Sequence, residues 1–146
     1  MLVAVQGSAS SISEKLENGN WTEIDAPPID EREIYGYAAI FYGTSHYYFG
    51  GWSNQDTTEL SYILALQEKT WTWSNLGLMK TTRHAHSVIL VDQKFMLLGG
   101  GRGGIKNNEA CILNNGEFSC TEFSSSLDHY VYYPILYLVD ENYKSC

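Results

Sequence analysis

Two histidines are the side chains in this sequence best suited to metal chemistry. His84 and His86 lie two residues apart in a segment predicted as a strand, so both rings are expected to project from one face. A pair of imidazoles presented in this way can ligate a transition metal. His46 and His129 are distant in the sequence, and no third ligand can be named. We therefore expect hydrogen-bonded structural histidines, and we predict no metal and no cofactor.

A glycine-rich loop formally satisfies a phosphate-binding pattern. Gly99-Gly-Gly-Arg-Gly-Gly104 matches G-x-G-x-x-G after an apolar run. That pattern holds a dinucleotide only when a helix follows it, because the helix N-terminus binds the pyrophosphate. Here Ile105-Lys-Asn-Asn108 leads into another strand-like run. Dinucleotide binding is therefore excluded. No nucleophile or acid-base pair has a recognisable setting either, which predicts that the chain is not an enzyme.

The three cysteines have no zinc-binding spacing, but two of them are placed to form a disulfide. Asn115-Gly116 is a strong signal for a two-residue type I′ hairpin. Pairing outward from that turn places Cys111 opposite Cys120 at a non-hydrogen-bonded position, where Cα atoms are about 4.5 Å apart. The register therefore predicts a cross-strand disulfide; the alternative is two reduced cysteines in the core. Cys146 is left over.

A disulfide implies an oxidising compartment. Asn20-Trp-Thr22 is an acceptor sequence for N-glycosylation and points the same way. We expect an extracellular or secreted protein, with the cytoplasm as the alternative.

Composition and charge limit the fold class and the partners. Aromatic residues make up 14% of the 146 residues and 13 are glycine, a balance typical of short strands joined by tight turns. The 17 acidic residues outnumber 9 basic ones, for a net charge of -8. A nucleic acid would be repelled, as would an anionic membrane surface. No apolar run approaches the roughly 20 residues that span a bilayer.

The chain contains an internal repeat of about fifty residues. The pair Gly50-Gly51 returns as Gly99-Gly100, a shift of 49, and Trp21-Thr-Glu-Ile24 returns as Trp73-Ser-Asn-Leu76, a shift of 52. A third copy begins with Cys120-Thr-Glu-Phe123 and continues to Val139-Asp140. The middle copy holds four strand candidates, at about 85–91, 94–98, 109–113 and 118–122.

A unit of four strands, with a glycine pair closing the second strand and a tryptophan on the fourth, resembles the kelch repeat. This resemblance implies an all-β fold, a partial kelch-type β-propeller made of four-stranded antiparallel blades. The expected organisation is a flanking segment at 1–20, followed by the end of a preceding blade, with repeats at 21–76 and 77–123 and an incomplete third repeat at 124–146. Trp21 and Trp73 are expected to fill the space between stacked blades.

The resemblance implies a protein-protein interaction module that binds a protein partner through the loops at one rim. It places Arg83 near that rim, where the side chain would either contact a ligand or, as we favour, form a salt bridge. The alternatives are a fragment of a kelch-type copper oxidase, which uses Tyr and His ligands, and a non-functional truncated paralogue. Closed propellers need about four to eight blades, so the chain is expected to need missing blades or to self-associate.

Overall fold

The computed structural model describes residues 2–5, 13–29, 34–100, 107–124 and Pro134. Every regular element among these residues is a β-strand, and all strand pairs are antiparallel. The predicted all-β class is therefore confirmed. The described residues include no helix long and apolar enough to cross a membrane.

The first sheet lies in the N-terminal part of the chain. It has three strands in the order β1-β2-β3: Leu2–Val5, Ser13–Glu17 and Asn20–Ile24. Asn18 and Gly19 join β2 to β3 with φ angles of 52° and 82°, values that suit a tight hairpin turn. β1 and β2 lie within the segment 1–20, which was expected to flank the repeats.

The second sheet is an antiparallel meander. Its strands are β4 (Ile34–Tyr35), β5 (Ala38–Tyr42), β6 (Ser45–Ser53), β7 (Thr58–Gln67) and β8 (Thr72–Leu78). The short β4 and β5 both pair with the same side of β6, β4 near its end and β5 near its start, so together they act as one interrupted first strand. The sheet therefore has four positions, as one repeat unit predicts.

The third sheet repeats this arrangement. Its strands are β9 (Ser87–Val91), β10 (Lys94–Leu98), β11 (Asn107–Asn114) and β12 (Glu117–Ser124), in the order β12-β11-β10-β9. The boundaries of all four predicted strands lie within two residues of these. Because β11 is a strand, no helix follows the glycine-rich loop, as predicted; residues 101–106 of that loop lie outside the described part of the chain.

The main core lies between the second and third sheets. Tyr47 and Phe49 of β6 meet Phe95 of β10 and Phe118 of β12, with ring centroids 5.4 to 5.7 Å apart. Tilted and edge-on ring pairs of this kind stabilise a core beyond the area that they bury. At the margins of the same interface β5 contacts β9, and β8 contacts β12. Corresponding strands of the two sheets thus lie next to each other.

The opposite face of the second sheet forms a second apolar cluster. Tyr48, Leu64 and Leu66 are buried there, and Ile24 and Ile29 pack against them from the N-terminal part of the chain. Lys15 of β2 also places its Nζ 4.6 Å from the centre of the Trp71 ring. The second sheet is therefore covered on both faces, by the first sheet and its following segment on one side and by the third sheet on the other.

The predicted disulfide is present in the β11–β12 hairpin. Asn115 and Gly116 form its two-residue turn, with φ angles of 52° and 85°, and the register places Cys111 opposite Cys120. Their sulfur atoms are bonded, and their Cα atoms are 4.1 Å apart. Both cysteines are buried in the main core, so the bond crosslinks the sheet on the side that packs against its neighbour. The pairing indicates an oxidising environment. Cys146 lies outside the described residues.

The two tryptophans of the repeat have different environments. Trp73 packs against Tyr48, with ring centroids 5.1 Å apart, and its Nε1 donates a hydrogen bond to the Asp25 carbonyl at 2.7 Å. Trp73 therefore lies between two sheets, as expected. Trp21 is 47% exposed on β3, so it does not lie between two sheets among the described residues.

Candidate functional site

The segment that joins the second sheet to the third, residues 79–86, is called the linker below. Its backbone is hydrogen-bonded at several points. The Met79 and Arg83 amides donate to carbonyls of β7, at Ser61 and Leu60, over 2.8 and 3.1 Å. The Arg83 carbonyl accepts from the Gly51 amide at 2.9 Å. The linker is therefore a fixed part of the sheet that precedes it.

Arg83 is the central side chain of the linker. It is fully buried and donates to the Gly99 and Asn107 carbonyls, each at 3.1 Å. It also forms an ion pair with Glu109, with Nη2 and Oε1 2.8 Å apart. A buried guanidinium needs such partners, because an isolated buried charge is costly. The favoured salt bridge is thus present, and with no exposed surface the Arg83 side chain is not available for contact with a ligand at the rim.

Glu109 completes this polar cluster from the third sheet. The Lys80 and Thr81 amides donate to its two carboxylate oxygens at 2.8 and 3.0 Å. Glu109 was not singled out from the sequence, although one signal was available. It precedes Cys111 by two residues on a strand and must share its inward face. The carboxylate accepts from the guanidinium and from two linker amides, and this buried cluster joins two sheets; among the described residues Nε of Arg83 has no hydrogen-bond partner.

The glycine pairs include two residues, Gly50 and Gly100, that lie against the backbone of the linker. A Cβ atom on Gly50 would lie 2.4 Å from the Arg83 carbonyl oxygen, and one on Gly100 would lie 2.4 Å from the His84 carbonyl oxygen. Their φ angles, 59° and 78°, are also in the left-handed region. Both glycines are therefore required by close backbone approach, which is the structural role expected from the sequence.

His84 lies at the end of the linker and makes a polar contact across to the second sheet. Its Nδ1 is 2.8 Å from Oε1 of Glu59, and its ring stands edge-on to Trp52 at 5.2 Å. The His84 and Glu59 side chains are 17% and 12% exposed, so the pair reaches the surface at the end of the sheets where the linker runs. This is the hydrogen-bonded histidine that the sequence favours.

His86 is buried, with 3% of its surface exposed, and neither ring nitrogen has a hydrogen-bond partner among the described residues. Burial, reinforced by the neighbouring Arg83 and His84, lowers the pKa of His86 to about 3. The ring is therefore neutral at physiological pH. The hydrogen bond expected for His86 is therefore not made to any described residue.

The two histidines also do not share one face of a strand. Ala85 between them has a φ of 53°, and β9 begins only at Ser87. The left-handed residue breaks the alternation on which that expectation depends.

The described histidines do not converge on one metal site. His46 is the second residue of β6, whereas His84 contacts Trp52 near the other end of that strand, so they are roughly 20 Å apart at 3.3 Å per residue. His129 lies outside the described residues. Glu109, Cys111 and Cys120 bring ligand atoms within 4.8 Å of one another, but the sulfurs are bonded to each other and the carboxylate binds Arg83. That group is a structural cluster while the disulfide is intact.

A small apolar cavity lies beside Trp73, on the face of the second sheet that the N-terminal part of the chain covers. Tyr48, Tyr37 and Tyr62 contribute to its lining. Burial raises the pKa of Tyr37 and, with a contribution from Tyr37, that of Tyr48. These phenols therefore stay protonated. The cavity measures about 30 Å³, which is room for about two water molecules. It is a packing space rather than a ligand pocket.

Two exposed aromatic side chains lie at the opposite end of the sheets from the linker. This end, called the hairpin end, carries the four turns at 43–44, 68–71, 92–93 and 115–116. Phe41 and Tyr42 close β5 there and are 50% and 39% exposed. The Tyr42 ring stands edge-on to Phe95 of the third sheet at 5.7 Å, which brings the hairpin ends of both sheets together. Large aromatic side chains on such a surface suit contact with another protein.

Asn20, the predicted glycosylation acceptor, is exposed at the start of β3. The two residues that complete its acceptor sequence, Trp21 and Thr22, are exposed as well. The structure therefore leaves the acceptor sequence accessible.

Comparison of the chain with models of known protein families and with curated proteins found no match.

Proposed function

We propose that this chain is part of a kelch-type β-propeller and acts as a non-catalytic protein-binding module. The observation that carries the propeller assignment is the repeated stacking of two four-stranded meanders with corresponding strands in contact. The Ala85 amide donates to the Gly36 carbonyl at 2.7 Å. These residues are 49 positions apart, the same shift as the glycine pairs. Contact between equivalent residues of successive sheets is what rotation about a nearby common axis would produce.

The polar cluster around Arg83 supports a binding role over catalysis. Its guanidinium and the Glu109 carboxylate bond to each other and to backbone groups, and both are fully buried. A charged pair used in this way holds two sheets at a fixed angle. The surface loops then have a rigid support, which is the usual basis of a loop-borne recognition site.

The surface best suited to a protein partner is the hairpin end. Phe41 and Tyr42 expose large aromatic side chains there, and residues of this kind dominate binding energy in protein interfaces. Strand ends on a packed sheet also hold them in place at little entropic cost. We therefore assign the partner site to this end, on an extracellular protein whose disulfide is formed during secretion.

The test selects peptides from a random display library on the immobilised full chain and measures the affinity of each for three variants. Phe41→Ser and Tyr42→Ser remove the exposed rings, and Leu78→Ser changes an exposed side chain at the linker end, 56% exposed. We expect each ring variant to lose about 2 kcal/mol, roughly thirtyfold in Kd. Leu78→Ser should bind as the wild type does. Selected peptides that bind all three variants equally would contradict the assignment.

A further inference from the structure

The third sheet has an apolar face that no described strand covers. This surface, called the tail face, is formed by residues that alternate with the buried core positions: Ile89, Met96, Leu98, Ala110 and Ile112. Ile112 is 37% exposed, and the other four are half-buried. Pro134 touches one corner of this face, where the Ser87 hydroxyl donates to its carbonyl. A contiguous apolar patch on a sheet face is the mark of an interaction surface.

The repeat shows what kind of surface the tail face matches. Under the 49-residue shift, Met96 and Leu98 stand where Tyr47 and Phe49 stand in the second sheet. Those two residues form the face with which the second sheet packs against its successor. The tail face is therefore the equivalent of a surface that is already a sheet-to-sheet interface within this chain.

The first sheet presents the complementary surface, called the head face. Trp21 lies directly opposite Leu16. Lys15, the neighbour of Leu16 on β2, faces Trp71 of the second sheet. Because successive side chains of a strand point to opposite faces, Leu16 and Trp21 point away from the second sheet. Trp21 corresponds to Trp73, which packs between two sheets. The head face is thus the equivalent of a surface that is covered elsewhere in the chain, yet Trp21 remains 47% exposed.

The two faces carry charges of opposite sign. On the head face Glu14 lies directly opposite Glu23, a like-charge pair that weakens the sheet unless a cation is near. Among the described residues no cation pairs with either carboxylate. On the tail face Lys94 lies directly opposite Ile112 and is exposed. In the repeat Glu23 is equivalent to Glu122, near the linker, and Lys94 to Ser45, near the hairpin end, so these opposite charges would lie at one interface but at different ends of the strands.

Among the described strands, the first sheet also has an unpaired edge at β1. β1 corresponds to β6 and β10, the second strands of the other sheets, and each of those is flanked by a first strand, β5 or β9. β1 pairs only with β2 among the described strands. An unpaired edge is a template for further strand pairing.

We propose that a second copy of this chain covers the tail face, by placing its head face there, so that two chains form a closed head-to-tail dimer. The described residues of each chain contribute three sheets, and those of the dimer would then contribute six, within the roughly four to eight that close a propeller. The contact is heterologous, and such contacts close into a ring when the rotation per subunit allows it. This inference rests on the stacking of the sheets in the proposed propeller and does not involve the hairpin end.

The first measurement is the mass of the purified, oxidised full chain by light scattering across a concentration series. The chain has a mass of 16.5 kDa, so the expected value is twice that, 33 kDa. Trp21→Glu disables the head face and Ile112→Glu disables the tail face. Each variant alone should be a monomer, because a closed dimer uses both faces of every copy. Leu78→Glu, a change of the same kind at a residue that belongs to neither face, should remain dimeric.

Mixing the two monomeric variants provides the decisive test. A Trp21→Glu copy keeps its tail face and an Ile112→Glu copy keeps its head face, so the mixture should form one-to-one dimers through a single intact contact. Isotope labelling of one variant identifies these dimers by native mass spectrometry. Their formation also shows that neither variant is unfolded.

Three results would overturn the inference. They are a monomeric wild-type chain, a dimer that survives either single variant, and a mixture that stays monomeric while both variants give wild-type circular dichroism. Loss of peptide binding by Phe41→Ser in a chain that is monomeric would reject the dimer and leave the binding module intact. Dimers that bind none of the selected peptides would reject the binding module and leave the dimer intact.

Discussion

Removal of the negative charge at Glu109 is expected to destabilise the fold more than any other single charge change among the described residues. Glu109→Gln keeps the shape of the side chain and one oxygen that can accept from Arg83, but it removes the negative charge that balances the guanidinium, whose acceptors are then all neutral. Both side chains have no exposed surface. The remaining positive charge cannot be solvated by water without opening the interface between the second and third sheets.

The size of the effect follows from the partners that are lost. Breaking one side of a buried ion pair costs about 3 to 5 kcal/mol. The two carbonyls that still bind Arg83 place Glu109→Gln near the lower limit. The Lys80 and Thr81 amides lose charge-assisted hydrogen bonds to the carboxylate and add to the loss. We expect a decrease of about 3 kcal/mol in the free energy of unfolding.

Urea unfolding followed by circular dichroism and tryptophan fluorescence measures this decrease. With a slope of about 1 to 3 kcal/mol per molar urea, the midpoint should fall by roughly 1 to 3 M. Glu117→Gln is the matched control, since Glu117 is an exposed carboxylate at the β11–β12 turn and its change should stay within about 0.5 kcal/mol. Coincident transitions from the two probes establish that a single free energy is meaningful.

The double variant Arg83→Met with Glu109→Gln separates the charge from the packing. It leaves no lone buried cation, so its loss should be smaller than the sum of the two single losses by on the order of 1 to 3 kcal/mol. Additive losses would refute the reasoning. So would a Glu109→Gln protein within about 1 kcal/mol of the wild type, because the buried pair would then not be what joins the sheets.

Three further predictions concern stability. The pKa of His86 is about 6.5 in the unfolded chain and about 3 in the folded protein, so between these pH values a proton binds only the unfolded state. As the pH falls through this range, the free energy of unfolding of the wild type should decrease by about 1.4 kcal/mol per pH unit more than that of His86→Leu; equal slopes in urea titrations would contradict this. Replacing Cys111 and Cys120 by alanine should cost about 3 kcal/mol, from the loop that the bond closes, and unreduced peptide maps of the wild type should contain the linked pair. Gly100→Ala should destabilise by about 2 kcal/mol or more through backbone overlap, whereas Gly19→Ala, with a similar φ and open space, should cost only about 1 kcal/mol; comparable thermal shifts would argue against the overlap.

The features that the sequence predicted well are those set by local rules. The Asn115-Gly116 turn fixes the register of its hairpin, and the period of two then fixes which residues face each other. The bond between Cys111 and Cys120 follows from these two facts alone. The strand bounds of the third sheet were predicted for the same reason, because turn residues separate the apolar runs there.

The features that the sequence did not predict depend on contacts between sheets. Trp21 and Trp73 occupy equivalent places in the repeat, yet only Trp73 has a neighbouring sheet against it. The strand β2, Ser-Glu-Lys-Leu-Glu, is polar enough to be taken for a flanking segment. The left-handed Ala85 removed the expected strand geometry of the histidines, because the linker bends there to donate its amide to Gly36.

The linker explains why the two kinds of sheet contact in this chain should behave differently. Between the second and third sheets the covalent connection is itself part of the interface. Its backbone is bonded to β7, and its Arg83 side chain and its Lys80 amide are held by Glu109 of the next sheet. Separation of those sheets would expose a buried charge, so this contact should open only when the protein unfolds. The head and tail faces carry apolar residues in places equivalent to those of that interface, but the described residues include no such polar connection between them. A contact that forms through those faces should therefore be reversible and depend on concentration, while the angle between the second and third sheets, and with it the hairpin end, stays fixed.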